Sequence, residues 1–204
     1  NQGNQYIDGM ASLWYCAVGH GRSDMAESIA RQAGTLAAYS TFDPFTNEPA
    51  EQLAEKLVSI GPMKDARVFF TSSGSEAVDT SLKIALSYHR AKGDASRIRF
   101  IGRERAYHGG CVGGISVGGI PTNRKSFGAM MVPGVDHLPH TLNLSQMAFS
   151  RGMPTWGAHL ADDLERIVML HDASNIAAVI LEPVQGSTGV IVPPVGYLQK
   201  IREI

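Results

Sequence analysis

Along this chain apolar residues return every three or four positions in several stretches and bunch into short runs in others, an alternation expected of helices packed on a buried sheet. The helical spacing predicts helices over residues 24–37, 48–60, 74–91 and 159–171. Asn47 is placed to cap the second of these, with Pro49 in its first turn. Three apolar faces are expected to be core: Leu53, Leu57 and Ile60; Val78, Leu82, Ala85 and Leu86; and Leu160, Leu164, Ile167 and Val168 with His171. The runs 68–71, 99–101 and 177–181 predict strands covered on both faces, with 177–181 the best central strand. Glycine-rich 102–119 and the Pro-, Asn- and Ser-rich 131–155 read as working loops. The fold class expected is α/β, a mostly parallel sheet flanked by helices. Residues 1–46 read as a looser amino-terminal segment and 47–204 as one α/β unit.

Composition narrows the function. With 204 residues, 44% of them hydrophobic, the chain can bury one substantial core. A net charge of -1 with 18% charged residues gives no basic field for nucleic acid. Cys16 and Cys111 have neither metal-ligand spacing nor a disulfide framework, which fits a reducing, cytoplasmic setting. No apolar run approaches the roughly 18 residues of a membrane span, and Asn1–Gln5 lacks the charged and apolar regions of a signal peptide. A soluble protein is expected, and the absence of an initiator Met suggests a trimmed start.

The strongest local signal is Val68-Phe69-Phe70-Thr71-Ser72-Ser73-Gly74-Ser75-Glu76-Ala77, an apolar run that empties into a small-residue turn and opens a helix. Ser73 to Glu76 fits S-x-x-E, in which Ser73 accepts from the Glu76 N–H and the Glu76 carboxylate reaches back to the Ser73 N–H. Gly74 allows close approach, Ser75 adds a hydroxyl, and the free N–H groups at the positive helix end favour a phosphate. An ordinary capped helix is the plainer account. Tyr107-His108-Gly109-Gly110 could cover a planar ligand, or Tyr107 could be a half-buried surface tyrosine. Glu182 follows the apolar run 177–181, at the strand end where α/β sheets keep their ligands, or else is a surface loop acid.

Competing motifs are weaker. Gly114-Ile115-Ser116-Val117-Gly118 matches the G-x-S-x-G elbow of serine hydrolases, but glycines crowd its front and Gly119 and Pro121 follow closely. His137 and His140 flank Pro139 without further ligands at metal spacing, so two surface-loop histidines and no metal are expected. Arg124 stands before Lys125 where a Walker A motif requires glycine.

Taken together, Ser72-Ser73-Gly74-Ser75-Glu76-Ala77, Tyr107-His108-Gly109 and Glu182-Pro183-Val184-Gln185-Gly186 resemble, in order and approximate spacing, the class III aminotransferases that depend on pyridoxal phosphate. Asp8-Gly9-Met10-Ala11-Ser12-Leu13-Trp14 and Gly189-Val190-Ile191-Val192-Pro193-Pro194 extend the resemblance over essentially the whole chain, most like the omega-amino-acid:pyruvate branch.

The resemblance implies fold type I, with residues 1–46 part of a small domain and 47–204 the front of the cofactor-binding domain. It implies that Ser73, Gly74 and Ser75 bind the cofactor phosphate, that Tyr107 lies against the ring with His108 beside it, and that Glu182 joins the polar network beneath. Leu13, Trp14, Phe42 and Tyr107 would line the substrate pocket, with the loop from Tyr39 to Thr46, including Phe42 and Phe45, serving a neighbouring subunit's pocket in a homodimer; core filling is the other account of those aromatics. The implied reaction carries an amino group from an amine or omega-amino acid to an oxo acid such as pyruvate. Aminomutase or decarboxylase chemistry and a catalytically silent cofactor-binding module are the alternatives. The family's pyridinium-binding Asp and Schiff-base Lys have no counterpart before Ile204, so the chain is expected to be an amino-terminal part that does not transaminate alone.

Overall fold

The computed structural model describes residues 3–204. Contacts divide the chain into two compact units, Asn1–Phe69 and Phe70–Ile204.

In the first unit, α1 (Ala11–Trp14) is a single turn with positive φ throughout, held by the Asp8 carboxylate, which accepts from Met10 N at 3.1 Å and Ser12 N at 2.7 Å. Helices α2 (Ser23–Leu36) and α3 (Glu48–Ile60) follow. As expected, Asn47 Oδ1 accepts from Ala50 N at 3.0 Å and Pro49 sits in the first turn of α3. The expected core face of α3 is not buried: Leu53, Leu57 and Ile60 are exposed, because nothing among the described residues of this unit covers them. Residues 68–71 form no strand, since no described strand pairs with their backbone, and Phe69 and Phe70 are exposed.

The second unit is built on three parallel strands in the order β2-β1-β3: β1 (Arg99–Arg103), β2 (Val135–Leu138) and β3 (Ile176–Val179). The centre is therefore β1, with β3 at an edge among the described residues, contrary to the expectation for 177–181. The two-residue period of β1 sends its side chains to opposite faces. Phe100 packs with Leu82 of α4 (Gly74–Ala91) and Val117 of α5 (Val112–Val117), while Ile101 packs with Leu138 and with Leu164 and Ile167 of α8 (Asp163–His171). The helix expected over 159–171 begins as a 3-10 turn at Ala158–Asp162 and becomes α only from Asp163.

The two stretches read as loops contain regular structure. One holds α5; the other holds β2 and α7 (Leu144–Met147), and α6 (Pro121–Phe127) and α9 (Tyr197–Glu203) complete the unit. Glycine in α5 is weak helix-forming material, but a Cβ on Gly113 would lie 2.6 Å from the Asp79 carboxylate, so close packing on α4 outweighs propensity. Strand β2 hides its period because Asp136 and His137 are polar yet partnered: Asp136 pairs with Arg99 at 2.8 Å, and His137 Nε2 donates to Gly118 O at 2.8 Å. All three strands end on the same side, and the segments that follow β1 and β3 meet there.

Candidate active site

Helix α4 opens as a capped helix with donors to spare. Ser73 Oγ accepts from Glu76 N at 3.2 Å, as expected. The Glu76 carboxylate reaches one residue further back than expected, accepting from Ser72 N at 2.9 Å, because the extended Ser73 backbone brings that N–H over the first turn. The Gly74 and Ser75 N–H groups, at the positive end of an 18-residue helix, meet no acceptor among the described residues. A Cβ built on Gly74 would find nothing within 4 Å among the described residues, so the helix start is open there.

Against this helix end lies the loop that follows β1. Gly110 N donates to Ser75 Oγ at 2.9 Å, which leaves the Ser75 hydroxyl proton free to donate elsewhere. Gly109 carries φ +96° and would place a Cβ 2.5 Å from Ser75 Oγ and 2.7 Å from Ser75 Cα, so only glycine lets the loop lie this close. Asp79, one turn along α4, accepts from Gly114 N at 2.9 Å and fixes the start of α5 on the same helix.

Glu182 joins this loop to the segment after β3. Its Oε1 accepts from Tyr107 N at 2.6 Å and its Oε2 from Gly186 N at 3.1 Å. Three further bonds run alongside: Arg103 Nη2 to Glu182 O at 2.7 Å, Gln185 Nε2 to Glu104 O at 2.7 Å, and Thr188 Oγ1 to Arg105 O at 2.9 Å. Tyr107 is half exposed, while His108 beside it is buried, its Nε2 without a partner among the described residues. Burial, reinforced by the nearby Arg103 charge, pushes the His108 imidazole below the usual histidine range; the Glu182 carboxylate pulls the other way without reversing the shift. His108 is therefore neutral at pH 7.

Of the residues singled out from sequence, the structure gathers Ser73, Gly74, Ser75, Tyr107, His108 and Glu182 around α4 and the β1 and β3 strand ends. Leu13, Trp14 and Phe42 belong to the other unit, where each is exposed. Sequence reasoning missed Asp79, Arg103 and Thr188, and quoted Gln185 in a motif without giving it a role. Arg103 lies beyond the strand read from sequence, 99–101, and closes β1 only in the structure.

The hydrolase elbow is overturned. Ser116 is buried inside α5, where its Oγ donates to Val112 O at 2.6 Å and accepts from Val132 N at 2.8 Å, so the hydroxyl is spent on backbone. His137 is likewise no surface-loop residue but part of β2, and His140 N donates to Glu104 Oε2 at 3.3 Å. Among the described residues no group of three or more His, Cys, Asp or Glu is placed to hold a metal ion, and Cys16 and Cys111 are free. No described helix is long and apolar enough to cross a membrane.

Comparison with known proteins agrees with this geometry. Residues 1–204 match the family described as aminotransferase class-III. The chain is 54% identical over 203 residues to an omega-aminotransferase of Caulobacter vibrioides, and 52% identical over 205 residues to a beta-alanine–pyruvate aminotransferase of Pseudomonas aeruginosa. All of this chain aligns with them, and it spans 46% and 45% of their respective lengths. Among solved structures, the omega transaminase from Pseudomonas jessenii in complex with PMP superposes with a TM-score of 0.88 at 35% identity, covering 97% of this chain and 44% of that one. A family match from end to end establishes that the chain belongs to the class-III aminotransferases.

Proposed function

We propose that the protein moves an amino group from an amine or omega-amino acid to an oxo acid such as pyruvate, using pyridoxal 5'-phosphate (PLP) held between the start of α4 and the Tyr107–Gly110 loop. Class-III aminotransferases depend on PLP, and the residues here fit it. Two unspent N–H groups and a hydroxyl proton converge on open space at Gly74 and Ser75, as a phosphate requires. Tyr107 offers an aromatic face beside that cradle, and buried, neutral His108 adds no charge there. The single observation that carries the reading is this apposition of α4 and the loop through Ser75 and Gly110.

In this reading Ser73 shapes the helix start, Gly74 and Ser75 bind the phosphate, and Tyr107 covers the ring. Glu182 keeps Tyr107 in place through its N–H and completes the polar network on the other side. When bound, PLP supplies the electron sink that lets an amine's C–H bond give up its proton. Leu13, Trp14, Phe42 and Tyr107 would line the substrate pocket, which a second copy would complete in a homodimer. Residues 1–46 would then belong to a small domain and 47–204 to the PLP-binding domain. A cytoplasmic setting fits the two free cysteines. The name of the Pseudomonas aeruginosa relative supports pyruvate as acceptor.

The test is amino transfer by the full-length protein that carries this chain, given an omega-amino acid and pyruvate. One alanine formed per amine consumed, dependent on added PLP, is expected. Consumption of the omega-amino acid without alanine would contradict the reading; released carbon dioxide would then mark decarboxylase chemistry and an isomeric amino acid aminomutase chemistry.

A further inference from the structure

Arg103 closes β1 wholly buried, and no carboxylate lies within ion-pair range of it among the described residues. Its guanidinium rests over the Tyr197 ring, with Cζ 5.5 Å from the centroid. Nη2 donates to Glu182 O at 2.7 Å, while Nε and Nη1 are buried without hydrogen-bond partners among the described residues. A buried cation lacking a counter-charge is costly, and an apolar side chain of similar size would fill this space more cheaply. Its charge therefore has a use other than packing.

That use is legible in what Arg103 holds. Its Nη2 bond is to the main chain of the residue whose two carboxylate oxygens clamp Tyr107 N and Gly186 N. A turn of the Glu182 peptide would carry both clamps away together. We propose that Arg103 is a positioning residue of the cofactor site: by gripping the Glu182 carbonyl it fixes the Glu182 carboxylate, and through it the backbone that presents Tyr107. This rests on the PLP reading above. It acts at the ring end of the site, whereas Ser75 acts at the phosphate end, and that separation makes it testable.

The experiment uses the full-length protein stripped of cofactor and measures dissociation constants for PLP and for inorganic phosphate. Ser75→Ala is expected to weaken both ligands. Arg103→Met is expected to weaken PLP by about ten- to a hundredfold, the range for losing one hydrogen bond to a charged group, and to leave inorganic phosphate unchanged. Arg103→Lys, which keeps the charge but not the planar fork, should fall between wild type and Arg103→Met for PLP. Wild-type PLP affinity in Arg103→Met overturns the proposal, as does an equal loss for PLP and phosphate, the mark of a merely structural residue. If Arg103→Met does not fold, Arg103→Lys decides by the same two ligands: selective loss of PLP affinity supports the proposal and wild-type affinity overturns it. Unchanged affinities in Ser75→Ala would instead sink the cradle reading itself.

Discussion

At Asp136 one carboxylate serves two partners from neighbouring elements, Arg99 Nη2 at 2.8 Å and His171 Nε2 at 3.2 Å. Partial burial would raise its pKa, but the hydrogen bonds and charges of Arg99 and His171 together outweigh it and hold the carboxyl below the usual range. A depressed carboxylate stabilises the fold above its unfolded value, near 3.9, and that contribution is lost as pH falls through the lower folded value. Asp136→Ala should cost about 1.5–3 kcal/mol in urea unfolding at pH 7, because it leaves the Arg99 charge half buried and unpaired. A wild-type midpoint would show that water replaces the pair. The histidines act in a higher window. His108 and His137 are both pushed below 6.5, chiefly by burial, with Arg103 and Arg124 adding to the shift. The unfolded chain then takes up protons that the folded one refuses, so stability should fall as pH drops below 6.5 and level off beneath the folded values. Thermal unfolding at pH 7.5 and 5.5 would show this, and His108→Gln should flatten part of the slope; identical melting at both pH values would contradict it.

Helix α4 and the loop after β1 function as a pair, and Gly109 is where they touch. Gly109→Ala puts a Cβ 2.5 Å from Ser75 Oγ at a φ of +96°, so the loop must retreat. The expected cost is at least about 1–3 kcal/mol of backbone strain, with PLP affinity lost alongside. Gly74→Val is the complementary case: its side chain meets no protein atom at Cβ, so it should leave the apo melting temperature nearly unchanged while crowding the phosphate out. Equal effects of the two substitutions on apo stability would argue against this picture. Local signals made the helix end legible, since Asn47 and Ser73 announce their helices by capping chemistry. They failed where long-range contacts decide. Gly113 and Gly114 sit in a helix because α4 leaves no room for a Cβ at Gly113, Asp136 and His137 sit in a strand because each has a partner from elsewhere, and 68–71 lacks the strand its apolarity foretold. Tyr107 and Glu182 were visible as residue types, but the bond joining them spans 75 residues and has no local signature.

At the scale of the molecule, the second unit places its cradle, aromatic loop and carboxylate on the side where parallel strands end, the general location of ligands in α/β sheets. In the first unit Leu13, Trp14 and Phe42 are exposed, and the homodimer proposed above would cover them with a second copy. Sedimentation of the full-length protein should therefore give twice the chain mass; a stable, active monomer would remove that part of the proposal. The most direct measurement is a crystal structure of the full-length protein grown with PLP. Phosphate oxygens are expected to accept from the Gly74 and Ser75 N–H groups and the Ser75 hydroxyl, with the ring against Tyr107. Phosphate density at any other helix end, with the start of α4 left empty, would contradict it.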